Sequence, residues 1–227
     1  MLIEIEKSEY GKYFPVSPHP YISDKFIDLN CHKVDKIVRL VEDSGTAIMG
    51  LIAGVRNGAL LSPFSAPFGG FHFKKDNIYI SEIDRFVNSL KAYAESRDLR
   101  RIEIILPPFI YYGTFNSKVI SSLIRNGYHN IIPEITNWID LTVFKDDFTQ
   151  KNSREYYRQA LRNGLQFCTT ADESEKKMVY DLVAQNRARF GRQIFMTFDE
   201  IIATGKLWPV DFFKVTTSAG TLVASAI

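Results

Sequence analysis

The sequence predicts an α/β protein in which helices flank a mixed β-sheet. Two kinds of segment recur along its 227 residues. Short segments such as 36–41 alternate polar and apolar residues, which is typical of strands. Longer segments such as 83–97 repeat apolar residues every three or four positions, which is typical of amphipathic helices. Their order predicts one complete domain over residues 1–147 and the beginning of a second over residues 152–227.

The first half reads as a helix, three strands, a glycine-rich loop, a helix, a strand, a helix and a last strand. Ser23 and Asp24 are typical capping residues and mark the start of the first helix. Asn57-Gly58 favours a tight hairpin turn between the second and third strands. Asn126-Gly127 is a typical end of the last helix. The predicted helices span residues 23–31, 83–97 and 116–125, and the predicted strands span residues 36–41, 47–55, 59–62, 101–106 and 138–144. A turn is predicted at residues 43–45.

The second half follows a polar segment, residues 145–152, which is the predicted linker. Asp172 with Glu175 three residues later is the pattern of a capping box, and Thr197 with Glu200 repeats it. The predicted elements are a helix at residues 153–162, a strand at 165–170, a long helix at 172–190, a short helix from residue 197, and strands at 211–217 and 221–227.

A hairpin pattern of the first half returns in the second. Residues 34–37 and 45–49 resemble residues 210–213 and 220–224, at spacings of 176 and 175 residues, within the same order of elements. The chain ends inside an apolar predicted strand, and an unpaired strand edge favours association. The sequence therefore predicts a second domain that is incomplete at its C-terminus and self-association through its last strand.

The composition is that of a globular protein rather than a disordered one, with 45% hydrophobic and 24% charged residues. The net charge of +2 is too small to indicate nucleic acid by itself. It is unevenly spread, because residues 151–192 carry nine Lys and Arg against five Asp and Glu. The basic character therefore lies just after the middle of the chain.

The N-terminus lacks the basic-then-apolar pattern of a signal peptide, and the apolar runs are shorter than the ~20 residues of a membrane helix. We therefore expect a cytoplasmic protein without a membrane span. Cys31 and Cys168 have no CxxC partner, which favours two reduced thiols over a disulfide. Cys168 alternates within a predicted strand and is expected to be buried. The four histidines show no metal-ligand spacing, so no metal is predicted.

Two groups of residues are candidates for binding. Arg154, Arg158 and Arg162 lie at i, i+4 and i+8 of a predicted helix, so they project from one face and could clamp phosphates. A solvated surface ridge explains the same spacing. Asn186 and Arg187 end the long helix, where substrate contact and helix capping are both compatible with the sequence. Tyr111 and Tyr112 follow a predicted strand, where α/β sites tend to lie, and could line a cleft; core or rim packing explains them equally well. The remaining candidates belong to the glycine-rich loop: Pro67, Phe68, Gly69 and Gly70.

The order of elements in the first half resembles the fold of the GNAT acyltransferase superfamily. In that fold the loop after the central strand leads into a helix whose N-terminal amides hold the pyrophosphate of acyl-coenzyme A. Residues 67–71, Pro-Phe-Gly-Gly-Phe, occupy this loop, but the family's Gln or Arg followed by spaced glycines is absent. The alternative is that the loop packs against the other half, so that Pro67–Gly70, Tyr111 and Tyr112 line a cleft between the domains.

The second half is similar to the Fem-type subset, which has two GNAT-like domains in tandem. The similarity lies in residues 154–165, which look like the basic helix opening the second domain, and in residues 186–191. The resemblance implies transfer of an acyl group from a coenzyme A thioester or aminoacyl-tRNA to a small-molecule or peptide amine, with the donor in the second domain. A non-catalytic binding or assembly module is the alternative, and an RNA-binding protein would require more positive charge.

Overall fold

The computed structural model describes all residues except Ser44, Thr46, Asn130, Ile131, Asp146 and Thr149. Ser44 and Thr46 belong to the predicted turn and hairpin pattern, and Asp146 and Thr149 to the predicted linker, so these positions lie outside the described residues. The chain divides into two compact units, Met1–Thr136 and Asn137–Ile227. Among the described residues, no helix combines the length and the apolar character needed to cross a membrane.

The first unit contains a mixed sheet. Its strands are β1 (Leu2–Glu4), β2 (Lys36–Glu42), β3 (Met49–Arg56), β4 (Ala59–Ser62), β5 (Phe71–Phe73) and β6 (Arg101–Ile104). The main strands lie in the order β1-β2-β3-β4-β6, and β5 pairs with β3. β4 and β6 are parallel, whereas the other neighbouring pairs are antiparallel. The predicted α/β class with a mixed sheet is confirmed.

Helices cover both faces of this sheet. They are α1 (Lys7–Tyr13), α2 (Asp24–Leu29), α3 (Ile80–Ser96) and α4 (Phe109–Arg125). Side chains alternate between the two faces of a strand, so Leu51 of β3 packs with α3 and α4 while its neighbour Ile52 packs with α1 and α2. The predicted helices at 83–97 and 116–125 therefore lie on the sheet, as expected from their apolar faces.

Local signals set several element boundaries. Asn57 and Gly58 both have positive φ, 53° and 69°, which the tight turn between β3 and β4 requires. The Ser23 hydroxyl accepts a hydrogen bond from the Phe26 N–H and caps α2. A non-helical residue, Tyr112, kinks α4 with φ −149° and ψ 62°.

The second unit is built on a smaller antiparallel sheet in the order β7-β8-β9. The Asp172 carboxylate accepts from the Glu175 N–H, and Thr197 with Glu200 forms the predicted capping box. Its elements are α5 (Lys151–Arg162), β7 (Gln166–Thr169), α6 (Glu173–Arg189), α7 (Phe198–Gly205), β8 (Phe213–Thr216) and β9 (Leu222–Ala226).

The predicted strand at residues 138–144 is wrong, because these residues form no strand. The Asp140 carboxylate accepts hydrogen bonds from the backbone N–H and the hydroxyl of Thr142, at 2.9 and 2.7 Å. Val143 N–H donates to the Asp140 carbonyl, which completes a local turn. Aspartate side chains stabilise such turns in competition with strand pairing.

The expectation that Cys168 is buried is also wrong, since the residue is exposed. All four residues of β7 are exposed to solvent. An alternating pattern predicts one covered face only where another layer packs on the sheet. In β7 that condition is not met.

The two units share one arrangement of elements, which starts with β1 in the first unit and follows α5 in the second. In the first, a strand, two helices and two further strands form the order β1-β2-β3, with antiparallel pairing. In the second, β7, α6, α7, β8 and β9 follow the same sequence, and the strands pair antiparallel in the order β7-β8-β9. The repeated hairpin pattern of the sequence thus corresponds to β2-β3 and β8-β9.

Candidate functional site

Backbone hydrogen bonds hold together the two segments that leave the carboxyl ends of the parallel strands β4 and β6. The loop 63–70 leaves β4 there, and the segment 105–108 leaves β6. Ile105 N–H donates to the Ser62 carbonyl at 2.8 Å, and Gly69 N–H donates to the Ile105 carbonyl at 2.8 Å. Ligands of α/β folds commonly bind beyond the carboxyl ends of strands. We therefore take this end of the sheet as the candidate site.

Two glycines allow the loop to fold back onto β4. A Cβ atom at Gly69 would lie 2.7 Å from the Pro63 nitrogen and 2.8 Å from the Ser62 carbonyl carbon. Gly70 has φ +99°, which side-chain-bearing residues rarely adopt. Its N–H donates to the Ser62 hydroxyl at 3.1 Å. The backbone conformation thus requires glycine at both positions, and both N–H groups are already hydrogen-bonded.

The structure brings several of the predicted loop residues together. The rings of Phe68 and Tyr111 lie 5.5 Å apart between centroids, and Gly70 approaches Pro107. Pro67 is exposed at the outside of the loop. The Tyr112 ring packs on Phe73, and its hydroxyl donates to the Pro18 carbonyl at 2.6 Å. Phe68, Gly69, Gly70 and Tyr111 therefore form one edge, with Pro67 and Tyr112 beside it.

A residue that sequence reasoning did not single out, His19, lies at the centre of this edge. Only 4% of its surface is exposed, and its Nε2 is 3.0 Å from the Gly69 carbonyl oxygen. The signal was the pattern Pro18-His19-Pro20, because a residue before proline is restricted to extended backbone. His19 is extended, with φ −154° and ψ 163°. Aromatic rings surround its imidazole, with centroids 5.0 Å away for Phe68, 6.2 Å for Tyr21 and 6.5 Å for Tyr111.

The protonation state of His19 follows from its surroundings. Burial lowers its pKa, and the hydrogen bond to Gly69 opposes this in part. The imidazole is therefore neutral near pH 7. A carbonyl oxygen only accepts hydrogen bonds, so Nε2 carries the proton and Nδ1 is the acceptor. Nδ1 is buried and has no hydrogen-bond partner among the described residues.

A second buried histidine, His72, lies in a chain of hydrogen bonds with Tyr10 and Ser17. The Tyr10 hydroxyl is 3.0 Å from Nδ1, and Nε2 is 3.3 Å from the Ser17 hydroxyl. Burial lowers the pKa of His72 to about 3, with a smaller contribution from His19, and burial raises the pKa of Tyr10 well above its ordinary value. We assign Tyr10 as donor, because a phenol donates more strongly than it accepts. Nε2–H then donates to Ser17, so His72 orients this serine and does not activate it as a nucleophile.

The three arginines of α5 lie on an exposed helix that buries none of its residues. Arg154 pairs with the Asp147 carboxylate at 3.0 Å and donates to the Phe148 carbonyl. Arg162 pairs with the Glu155 carboxylate at 2.8 Å. Arg158 is exposed and has no ion-pair partner in the described part of the chain. The predicted stripe is therefore present, but neighbouring acids already engage two of its members.

Asn186 and Arg187 occupy the exposed last turn of α6. The Arg187 carbonyl accepts from Phe190 N–H and Arg192 N–H, both at 3.0 Å, so its backbone helps to end the helix. Within the described residues, no hydrogen bond or ion pair joins either side chain to the arginines of α5. A groove of about 480 Å³ lies beside this helix end, and neither residue lines it. Its lining residues are Tyr180, Ala184, Ala188, Gly191, Arg192, Gln193 and Ile194.

The residues that the structure describes contain no group of three or more His, Cys, Asp and Glu arranged to hold a metal ion. No protein-family model matches the chain, and no curated protein matches it either.

Proposed function

We propose that the chain is an acyl- or aminoacyl-transferase of the tandem GNAT-like, Fem-type kind. It would move an acyl group from a coenzyme A thioester or an aminoacyl-tRNA to an amine acceptor. The observation that carries this proposal is the first unit's order of elements around a parallel β4–β6 pair. That order is β1, two helices, an antiparallel β2-β3-β4 meander, β5, the crossover α3, β6 and then α4. Up to α4 this order agrees with the one that the GNAT resemblance implies, apart from the added strands β1 and β5, and the chain crosses from β4 to its parallel neighbour through a helix. The last strand of the implied order, at residues 138–144, is not formed.

The arrangement that recurs in the second unit after α5 supports the tandem part of the proposal. A strand, two helices and an antiparallel hairpin occur in both units with the same strand order. Unrelated α/β domains share single hairpins often, but a shared run of five elements with shared pairing is a stronger similarity. In a tandem protein, each unit would carry one copy of the acyltransferase-like fold.

The first unit is a poor location for the phosphates of a donor. The Glu82 carboxylate accepts from Tyr79 N–H at 3.0 Å at the start of α3. A carboxylate at a helix N-terminus occupies the position that favours an anion. The Gly69 N–H is also engaged, by the Ile105 carbonyl. We therefore assign the donor to the second unit and the acceptor to the candidate site of the first.

The arginines of α5 fit a donor that carries phosphates. Guanidinium groups bind phosphate through paired hydrogen bonds, and Arg158 has its donors available to solvent. Arg154 and Arg162 would first have to leave Asp147 and Glu155, and exposed ion pairs of this kind contribute little to stability. The exchange of an exposed carboxylate for a phosphate is therefore energetically feasible.

Two assays on the full chain test the proposal. The first measures binding of acetyl-coenzyme A and of aminoacyl-tRNA, and the second measures transfer of radiolabelled acyl or aminoacyl groups to a primary amine. We expect saturable binding of one donor and amine-dependent transfer from it. If neither donor binds, the proposal is wrong.

A non-catalytic binding or assembly module is the second candidate. The engaged glycine amides and the capped helix α3 favour it, because they indicate that the first unit has no phosphate cradle. Donor binding without transfer to any amine in the assays above would select this candidate.

A further inference from the structure

We propose that His19 is the residue that binds the amine acceptor, through a hydrogen bond from the amine N–H to Nδ1. The inference rests on the proposed function for the identity of its ligand. It places the amine substrate beside His19 within the candidate site. From the sequence, loop and tyrosine residues were candidates there, but no polar side chain had an assigned role.

The buried Nδ1 atom is the first reason. Buried polar atoms in proteins almost always have a hydrogen-bond partner, and leaving a buried hydrogen-bond acceptor unpaired is destabilising. His19 Nδ1 has none among the described residues. Its ring is fixed by the bond from Nε2 to the Gly69 carbonyl, so rotation would break the one hydrogen bond that the imidazole has. A ligand that donates a hydrogen bond would satisfy the atom without disturbing the loop.

The chemistry around Nδ1 selects the class of ligand. The rings of Tyr21, Phe68 and Tyr111 lie around the imidazole, and among the described residues no carboxylate or cationic side chain pairs with His19. An anionic ligand would find no positive charge here, and an acceptor such as a carbonyl would face the lone pair of Nδ1. A primary amine donates N–H to Nδ1, and in its protonated form it is also attracted to aromatic faces. The nearby His72 stays neutral and adds no repulsive charge.

Because Nδ1 is buried, a ligand reaches it only if a neighbouring group moves. Tyr111 is the most exposed ring of the group, with 47% of its surface exposed, and it lies in the first turn of α4 just before the kink at Tyr112. Moving a half-exposed side chain disturbs less packing than moving the half-buried Phe68. A small amine is therefore the appropriate probe.

The test uses the full chain labelled with ¹⁵N at histidine, titrated with methylamine and monitored through the ring nitrogens of His19. We expect a saturable change at Nδ1 with little change at Nε2. Tetramethylammonium carries the same charge but has no N–H to donate, so it should leave Nδ1 unchanged. An unperturbed His19, or the same change with tetramethylammonium, would overturn the proposal.

One substitution removes the hydrogen-bond acceptor Nδ1 and keeps the rest of the loop, and a second substitution at an exposed histidine serves as its control. In His19→Gln the amide N–H can still donate to the Gly69 carbonyl, but no acceptor remains at the position of Nδ1. We expect it to bind methylamine at least tenfold more weakly. His129→Gln, at an exposed histidine, should bind as the wild type does. Equal affinity in His19→Gln would contradict the proposal, and if that variant does not fold, the wild-type titration decides alone.

The outcome is separable from the test of the proposed function. Methylamine binding at His19 without acyl transfer would support the amine site and argue against the transferase. Acyl transfer that is unaffected in His19→Gln would support the transferase and place the amine elsewhere.

Discussion

At the scale of single residues, the first unit depends on backbone positions where only hydrogen fits. A Cβ atom at Gly50 of β3 would lie 2.5 Å from the Tyr10 hydroxyl oxygen and 2.5 Å from Cε2 of Phe14. Both rings are buried in the layer between the sheet and α1, and Tyr10 also binds His72. Gly50 thus permits the packing that places His72 and Ser17 beside the candidate site.

Gly50→Ala should lower the free energy of unfolding by about 1–3 kcal/mol, because two packed rings must shift. Gly11→Ala is the matched control. Its Cβ would meet no atom within 4 Å in helix α1, where alanine is favoured over glycine by up to about 1 kcal/mol. Urea unfolding of both variants measures the difference. A Gly50→Ala variant as stable as the wild type would show that Tyr10 and Phe14 move freely.

At the scale of elements, the carboxylate of one residue in α3 accepts several hydrogen bonds from α4. Asp84 of α3 accepts from the Ser122 hydroxyl at 2.6 Å, from Arg125 at 2.7 Å and from the Asn126 amide at 3.0 Å, all at the C-terminal end of α4. The hydrogen bonds from Ser122 and Arg125 hold the pKa of Asp84 below its ordinary value of 3.8. The ionised form is therefore the one that stabilises the folded state.

A lowered pKa adds stability above the ordinary value, and this contribution is lost as pH falls through the folded-state pKa. Asp84→Asn should therefore cost about 1 kcal/mol at pH 7, a modest value because the pair with Arg125 is partly exposed. The difference from the wild type should shrink as pH falls below about 4. Asp76→Asn, at an exposed position, controls for the loss of charge. A difference that does not change with pH would contradict the assignment.

The arginines of α5 allow a second test at this scale. Arg158→Ala should weaken binding of coenzyme A or tRNA about tenfold or more, since a guanidinium–phosphate contact contributes about 1.5–3 kcal/mol. Its folding stability should hardly change, because the side chain is exposed and has no ion-pair partner among the residues that the structure describes. Binding is measured by titration at two salt concentrations. Glu155→Gln, which releases Arg162 from its ion pair, should bind equally or more tightly. Unchanged affinity in Arg158→Ala would leave these arginines as a solvated helix face.

The elements that the sequence predicted are those with a strong periodic face or a turn signal. Helices α3 and α4 were found from their apolar spacing, and the β3-β4 turn from Asn57-Gly58. Strand β1 and helix α1 were missed, because β1 has three residues and α1 buries only Tyr10. Part of the candidate site could be predicted from the sequence. The loop residues Phe68–Gly70 and Tyr111 follow strand ends in the sequence, whereas the role of His19 depends on a contact with Gly69, 50 positions away.

At the scale of the whole molecule, the two units differ in how much they bury. The first contains two clusters of buried apolar residues, one on each face of its sheet. In the described part of the second unit, Val179 and Phe212 are the buried apolar residues, while large side chains such as Phe167, Phe190 and Phe195 are exposed. Burial of apolar surface is the main stabilising term in folding. The arrangement of elements that the two units share is therefore stabilised by very different cores.

This difference predicts unequal opening of the two units. The free energy of local opening rises with the number of buried apolar contacts around a hydrogen bond. Amides of β3 and α3, which lie in the core of the first unit, should exchange their hydrogens slowest. Amides in the β7-β8-β9 ladder are hydrogen-bonded as well, but few buried apolar side chains surround them. We therefore expect their hydrogens to exchange at least tenfold faster than those of β3 and α3, after correction for intrinsic exchange rates. Hydrogen exchange followed by mass spectrometry of peptides from residues 49–56, 80–96, 166–169 and 213–226 measures both. Equal protection in the two sets would show that the second unit opens only together with the first, and that its exposed apolar residues do not limit its stability.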